Sequence, residues 1–126
     1  MPHLHIDYSS NLDPDADLGR LCRDLAGAMA ALSHAGQSVF PLNGTRVLAY
    51  PAPFHAVAGG APGNAFVYLN LRITPGRSAD IVGMAGQTLL AVVRAHFDRL
   101  ALSGAVGITL HIDEVAPAFE GRHRLG

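Results

Sequence analysis

One succession of sequence patterns occurs twice along the chain and constrains the fold more than any other feature. The succession is an extended stretch, an amphipathic helix and a second extended stretch. In the first half, Leu4, Ile6 and Tyr8 alternate with polar residues, which predicts a strand. Asn, Asp and Pro residues then precede apolar residues at helical spacing, which predicts a helix from about Pro14 to His34. An extended segment over 45–57 follows, and its two prolines favour an edge position in a sheet.

The second half repeats this order. Residues 65–74 alternate clearly and predict a strand, and Ser78 is placed to cap a helix that runs to roughly Leu102. Residues 106–115 predict the last strand. Two strand–helix–strand units with parallel pairing inside each unit give an α/β (α+β) fold, with a four-stranded sheet and both helices on one face.

The predicted sheet has a second face that no helix covers. The residues expected there are Phe66, Tyr68, Ile108, Leu110 and Ile112. Because so many apolar groups are costly to expose, we expect the face to be buried by association of several copies into a closed homo-oligomer.

Length and composition exclude several classes of protein. A chain of 126 residues is expected to form one domain, 1–126, and its net charge of −1 without a basic run argues against a nucleic-acid partner. No apolar stretch is long enough for a membrane span, and the start of the chain lacks a signal-peptide pattern, so we expect a cytoplasmic protein. Cys22 is the only cysteine, which leaves no disulfide and no cysteine-based zinc pattern.

Lysine is absent, so no side-chain amine is present to act as a base or to form a Schiff base. Amine chemistry would therefore have to use the amino terminus of the chain. Pro2 directly precedes the first strand, and terminal residues are usually mobile unless pairing holds them. A strand that starts this early indicates that Pro2 occupies a defined position.

Three motifs carry a resemblance that extends over nearly the whole chain. They are the Met-Pro-His start, Phe-Pro-Leu-x-Gly-x-Arg at 40–46 and Gly-Arg-Ser at 76–78. With them, the chain resembles the 5-carboxymethyl-2-hydroxymuconate Δ-isomerase family of the tautomerase superfamily. The resemblance implies a homotrimer, removal of Met1, and Pro2 as a catalytic general base. It also implies that Arg46 and Arg77 bind a small dicarboxylate substrate.

The chemistry of such a site is consistent with these residue types. A terminal proline is a secondary amine, and an apolar, cation-lined pocket would lower its pKa towards neutrality. Such a base can move a proton along a conjugated keto acid, and this reaction requires no cofactor and no metal. Guanidinium groups suit planar carboxylates and a developing dienolate oxygen.

Other interpretations stay open at this stage. Pro2 could only start a strand, and Arg46 and Arg77 could be solvated ion-pair partners. His3 and His5 could form part of a metal site, although no third ligand is indicated. As alternatives to the muconate isomerase, the chain could be an arylpyruvate-type keto-enol tautomerase or a non-catalytic trimeric anion-binding module.

Glycines inside the second predicted helix also call for a reason, because glycine is unfavourable in a helix interior. Gly83 and Gly86 do not have the spacing of a nucleotide-binding loop. We therefore expect both to mark close packing of the helix.

Overall fold

A computed structural model describes residues 2–126. The elements, in chain order, are β1 (His3–Ser9), α1 (Leu18–Ala31), β2 (Ser33–His34), β3 (Gln37–Ser38), β4 (Arg46–Ala52), β5 (Ala65–Ile73), α2 (Ala79–Leu100) and β6 (Val106–Glu114). Short 3₁₀ turns lie at Ser10–Leu12 and Leu42–Gly44. The repeated strand–helix–strand order is confirmed, with the small β2–β3 hairpin inserted after α1.

The main sheet has four strands in the order β4-β1-β5-β6. β1 pairs with β4 in parallel and β5 pairs with β6 in parallel, whereas β1 and β5 run antiparallel. Each half of the chain therefore forms one βαβ unit, and the two units join through their first strands. The prediction that the proline-containing segment lies at a sheet edge is confirmed, since β4 is an outer strand.

One face of this sheet and both helices form the core. Alternate residues of β1 and β5 are buried together with the apolar side of each helix, and all belong to one cluster. Its fully buried large side chains include Leu4, Ile6, Leu21, Leu25, Met29, Val67, Leu69, Leu71, Leu89 and Val93. At about 25 cal/mol for each Å² of apolar surface removed from water, this layer is the main source of stability.

The composition of the uncovered face differs from the sequence-based expectation. The register pairs Val67 with Ile108, Leu69 with Leu110 and Leu71 with Ile112. Directly paired residues point to the same side of a sheet, so the three β6 residues lie on the helix-covered face, half-buried against the core. The prediction that they lie on the uncovered face is wrong, and that face is largely polar.

Side-chain pairs across the strands illustrate this polarity. Tyr68 Oη lies 2.9 Å from His111 Nδ1, and Asn70 Nδ2 donates to Asp113 Oδ2 at 2.7 Å. Phe66 and Tyr68, the two aromatic residues predicted for this face, do lie there and are half-buried. Burial of apolar surface is therefore not expected to drive association of copies through this face.

The first helix is shorter than its pattern predicts. It begins at Leu18, because Asp17 Oδ1 accepts a hydrogen bond from the backbone N–H of Arg20 at 3.2 Å and so caps the helix. It ends at Ala31, and the chain then turns through Gly36, whose φ of +79° suits glycine. The capping prediction for Ser78 is confirmed, since its Oγ accepts from Ile81 N at 3.3 Å.

The two helix glycines differ in their surroundings. A Cβ at Gly86 would lie 3.4 Å from Ile112 Cδ1, which confirms close packing of α2 on β6. A Cβ at Gly83 would meet nothing within 4 Å, so the same prediction is wrong there. Among the described helices, none is both long and apolar enough to cross a membrane.

Candidate active site

The strand directions bring four chain segments to one end of the sheet. β1 and β4 start there and β5 and β6 finish there, because the first pair runs antiparallel to the second. His3 pairs with Arg46 on one side and with Arg72 on the other. Pro2 precedes His3, so this end of the sheet gathers the candidate base and several cationic side chains.

Pro2 and Arg46 are neighbours in the structure. The ring of Pro2 is fully buried, and its carbonyl accepts a hydrogen bond from the backbone N–H of Arg46 at 3.3 Å. Pro2 thus has the defined position expected from the early start of the strand. Met1, whose removal the base hypothesis requires, lies outside the described residues.

The side chain of Arg46 is exposed and lines a cavity of about 900 Å³. The preceding 3₁₀ turn positions it: Thr45 Oγ1 donates to the Pro41 carbonyl at 2.9 Å, and Pro41, Asn43 and Gly44 line the same cavity. Within residues 2–126, the Arg46 guanidinium has no hydrogen-bond or ion-pair partner. Its donors are therefore available to an anion.

Arg77 has a different environment. Its Nε and Nη2 donate to the carbonyl of Val39 at 3.3 and 3.2 Å, and Nη1 donates to the Thr74 carbonyl at 3.3 Å. The guanidinium carbon also lies 5.1 Å from the centre of the Phe40 ring, within range of a cation–π contact. Arg77 lines a smaller cavity of about 150 Å³ beside α2 and the β2–β3 hairpin, separate from the Arg46 cavity.

The Phe-Pro-Leu-x-Gly-x-Arg motif connects these two arginines. Phe40, at its start, is buried under the Arg77 guanidinium, whereas Arg46, at its end, begins β4. The structure therefore brings Pro2 and Arg46 together directly and links Arg77 to them through this segment. The two side chains do not line one common cavity.

The electrostatic environment at this end of the sheet disfavours additional positive charge. Burial lowers the pKa of the His3 imidazole, and the charges of His5, Arg46 and Arg72 lower it further. Pro2 directly precedes His3 in the chain, so an amine there would be subject to the same neighbouring cations. Those cations would favour both a neutral amine and a bound anion.

The His-x-His pair of β1 does not converge on a third ligand. The rings of His3 and His5 are stacked 6.5 Å apart, and His5 Nε2 donates to Asp7 Oδ1 at 2.9 Å. His5 also stacks on Tyr50 at 4.8 Å. Over residues 2–126, no group of three or more His, Cys, Asp or Glu side chains is arranged to hold a metal ion.

Sequence reasoning missed the contribution of the chain after β6. Residues 121–125, which include Arg122 and Arg124, form part of the lining of the Arg46 cavity. This segment has no periodic pattern, so no local signal predicted its path. The Arg-His-Arg cluster at 122–124 is the one feature of the sequence that could have drawn attention to it.

Comparisons with known proteins match nearly the whole chain. A family model described as 5-carboxymethyl-2-hydroxymuconate isomerase matches residues 2–124. A 5-carboxymethyl-2-hydroxymuconate Delta-isomerase of Escherichia coli is 30% identical over 117 residues, 93% of this chain and 89% of the relative. A crystal structure of a 5-carboxymethyl-2-hydroxymuconate delta-isomerase has a TM-score of 0.92 at 42% identity, covering 98% of this chain and 89% of that one.

A more distant structure shares the fold alone. It is named "Q0 fused 4-OT wild type symmetric trimer" and has a TM-score of 0.60 at 21% identity. The alignment covers 89% of this chain and 85% of that one.

Proposed function

Because this chain belongs to the 5-carboxymethyl-2-hydroxymuconate isomerase family, whose members include isomerases, we propose that it isomerises 5-carboxymethyl-2-hydroxymuconate with Pro2 as the general base. The observation that carries this proposal is that a backbone hydrogen bond makes Pro2 and Arg46 neighbours at a cationic end of the sheet. It supports a site in which an amine and an anion-binding group face one substrate.

The proposed reaction is a proton transfer within the substrate. After removal of Met1, the neutral amine of Pro2 takes the proton of the substrate hydroxyl, and the electron pair spreads over the diene as a dienolate. The protonated amine then returns that proton to carbon at the far end of the diene, which leaves a ketone and one carbon–carbon double bond. The base is regenerated and no cofactor takes part.

The environment of Pro2 supports this role for the amine. An ordinary terminal amine has a pKa of about 7.7–8.0, and nearby positive charges lower it. Arg46 and Arg72 flank the adjacent His3 in the sheet, which fits a base that is largely neutral near pH 7. While Met1 remains attached, the Pro2 nitrogen belongs to an amide and has no such basicity.

Arg46 and Arg77 have different roles in this proposal. Arg46 donates hydrogen bonds to the oxygen that gains charge in the dienolate, since its guanidinium is exposed and unpaired within residues 2–126. Arg77 holds a carboxylate through the N–H groups that the Val39 and Thr74 carbonyls leave free. Because Arg46 and Arg77 line separate cavities within one chain, this role requires that association of copies brings the Arg77 cavity of one copy next to the Arg46 cavity of another.

We also propose that three copies associate. β6 is a nine-residue outer strand without proline, and unprotected edges of this kind favour pairing with another chain. Phe54 and Phe119 are 95% and 86% exposed, which is costly for large apolar side chains unless a neighbour covers them. The fused 4-OT structure, which has the same fold, is named as a symmetric trimer.

Loss of the dienol ultraviolet absorbance of 5-carboxymethyl-2-hydroxymuconate tests the proposed activity. Protein whose intact mass shows loss of Met1 should turn the substrate over, whereas protein that retains Met1 should be inactive. Pro2→Ala should keep partial activity, because alanine still supplies a terminal amine with a pKa of about 7.7–8.0.

Two results would contradict the proposal. Normal turnover by Met1-retaining protein would exclude the proline base. Faster turnover of an arylpyruvate than of the muconate would favour the keto-enol tautomerase instead.

A further inference from the structure

The substrate of the proposed function carries more negative charge than the two predicted arginines match. Its name specifies the two carboxylates of muconate and a third on the carboxymethyl group, so it is a tricarboxylate and not the dicarboxylate expected from the resemblance. In the proposed function Arg77 holds one of these carboxylates and Arg46 faces the dienolate oxygen, so the two predicted arginines do not supply a partner for every carboxylate. A third carboxylate left in a protein cavity without a partner would be unfavourable, so the charge count calls for a further cation.

The segment after β6 supplies such a cation to the cavity that Arg46 lines. Arg46 lines one wall of the cavity of about 900 Å³, and residues 121–125 line another. This cavity therefore contains three guanidinium groups, those of Arg46, Arg122 and Arg124, and contains the imidazole of His123. No Asp or Glu contributes to its lining.

The two arginines of this segment are not equivalent. Arg122 Nε lies 3.8 Å from Glu120 Oε1, so a carboxylate of the chain already offsets part of its charge. Arg124 has no ion pair or side-chain hydrogen bond within the part of the chain that the structure describes. Of the two arginines in this segment, Arg124 is therefore the one whose N–H donors are all available to an external anion.

From this arrangement we infer that Arg124 binds the third carboxylate, that of the carboxymethyl group, across the cavity from Arg46. The inference rests on the proposed function for the identity of the substrate. A planar guanidinium donates N–H hydrogen bonds to both oxygens of a carboxylate at once, which confers specificity as well as affinity. Arg124 thus distinguishes the carboxymethyl-substituted acid from the simple diacid.

Binding of unreactive ligands tests this inference independently of turnover. The probes are a saturated tricarboxylate with the carbon skeleton of the substrate and the saturated dicarboxylate that lacks the carboxymethyl group, both measured by titration calorimetry. Arg124→Gln should weaken binding of the tricarboxylate about tenfold, as expected for a lost hydrogen-bonded ion pair, and leave binding of the dicarboxylate unchanged. Arg124→Lys should recover only part of the loss, because a point charge lacks the fork.

Arg94→Gln is the matched control. It removes the same charge from an exposed position on α2 that lies outside the cavity, and it should leave both affinities unchanged. If Arg124→Gln retains the parent preference for the tricarboxylate, or weakens both ligands equally, the inference is wrong.

The same measurements distinguish a failure of this inference from a failure of the proposed function. A protein that binds the tricarboxylate through Arg124 but does not isomerise the muconate would overturn the function and support the inference. A protein that isomerises the muconate and keeps its ligand preference in Arg124→Gln would support the function and overturn the inference.

Discussion

Arg46 and Arg77 are the same type of residue in very different surroundings. The Arg46 guanidinium faces a cavity of about 900 Å³, whereas three donors of Arg77 are bonded to the carbonyls of Val39 and Thr74. Hydrogen bonds that involve a charged group contribute about 1.5–3 kcal/mol each when they are well shielded. Arg77 therefore stabilises the fold and is also a candidate for binding the substrate.

Alanine variants of the two arginines should consequently differ in both stability and kinetics. Arg77→Ala should lower the free energy of unfolding by about 1–3 kcal/mol, because two carbonyls lose their partner, and should raise KM more than it lowers kcat. Arg46→Ala should leave stability unchanged and lower kcat by about 10², as for loss of one preorganised donor. Urea denaturation and steady-state kinetics measure these effects. Equal loss of stability in both variants would contradict the distinction.

A second residue-scale prediction concerns Tyr8 and alkaline pH. Tyr8 is 6% exposed, and its hydroxyl donates to Asp13 Oδ1 at 2.6 Å. Burial, followed by the hydrogen bond to Asp13 and its charge, raises the pKa of Tyr8 to about 12. Since the pKa is about 10 in the unfolded chain, the folded state keeps a proton that the unfolded state loses between these values.

The stabilising contribution of Tyr8 should therefore be complete below pH 10 and decline as the pH rises towards 12. Urea unfolding across this range should show a shallower decline in Tyr8→Phe than in the parent protein. Tyr50→Phe, at a 47% exposed position, is the matched control and should keep the decline of the parent. An identical slope in Tyr8→Phe and the parent would show that Tyr8 is not responsible.

At the scale of the elements, two glycines allow a matched test of packing. Gly104 lies in the turn between α2 and β6, where an added Cβ would clash with the Gly63 carbonyl oxygen and lie 3.1 Å from its carbon. Gly83, inside α2, faces open space. Gly104→Ala should therefore destabilise the fold, because backbone must move, whereas Gly83→Ala should stabilise it by up to about 1 kcal/mol through helix propensity. Thermal unfolding of both variants measures the difference, and equal melting temperatures would contradict it.

At the scale of the whole molecule, the outer strands and the exposed aromatic residues bear on assembly. β4 contains Pro51, which limits further pairing, whereas β6 has a partner strand on one side only within residues 2–126. Light scattering should therefore give about three times 13.2 kDa for the protein in solution. A monomer at all concentrations would exclude the trimer and would require another reason for the exposure of Phe54 and Phe119.

The local patterns of the sequence determined the four long strands, the two helices, their order and the two βαβ units, but not the β2–β3 hairpin. Alternation at period two and apolar spacing near 3.6 residues are set by backbone geometry. The bounds of β5 and α2 were therefore predicted to within a few residues. The capping role of Ser78 was likewise readable, because its hydrogen bond is made to a residue three positions away. The short motifs indicated Pro2, Arg46 and Arg77, and their direct part in catalysis stays a prediction.

Tertiary structure alone decided the features that depend on residues far apart in the chain. The pairing of β5 with β6 placed Ile108, Leu110 and Ile112 on the helix-covered face, and no residue within β6 encodes which strand it pairs with or in which register. The carbonyls that bind Arg77 include that of Val39, 38 positions away. Arg124 lines the same cavity as Arg46. Local sequence did not predict this position, because the path of an aperiodic segment is set by packing.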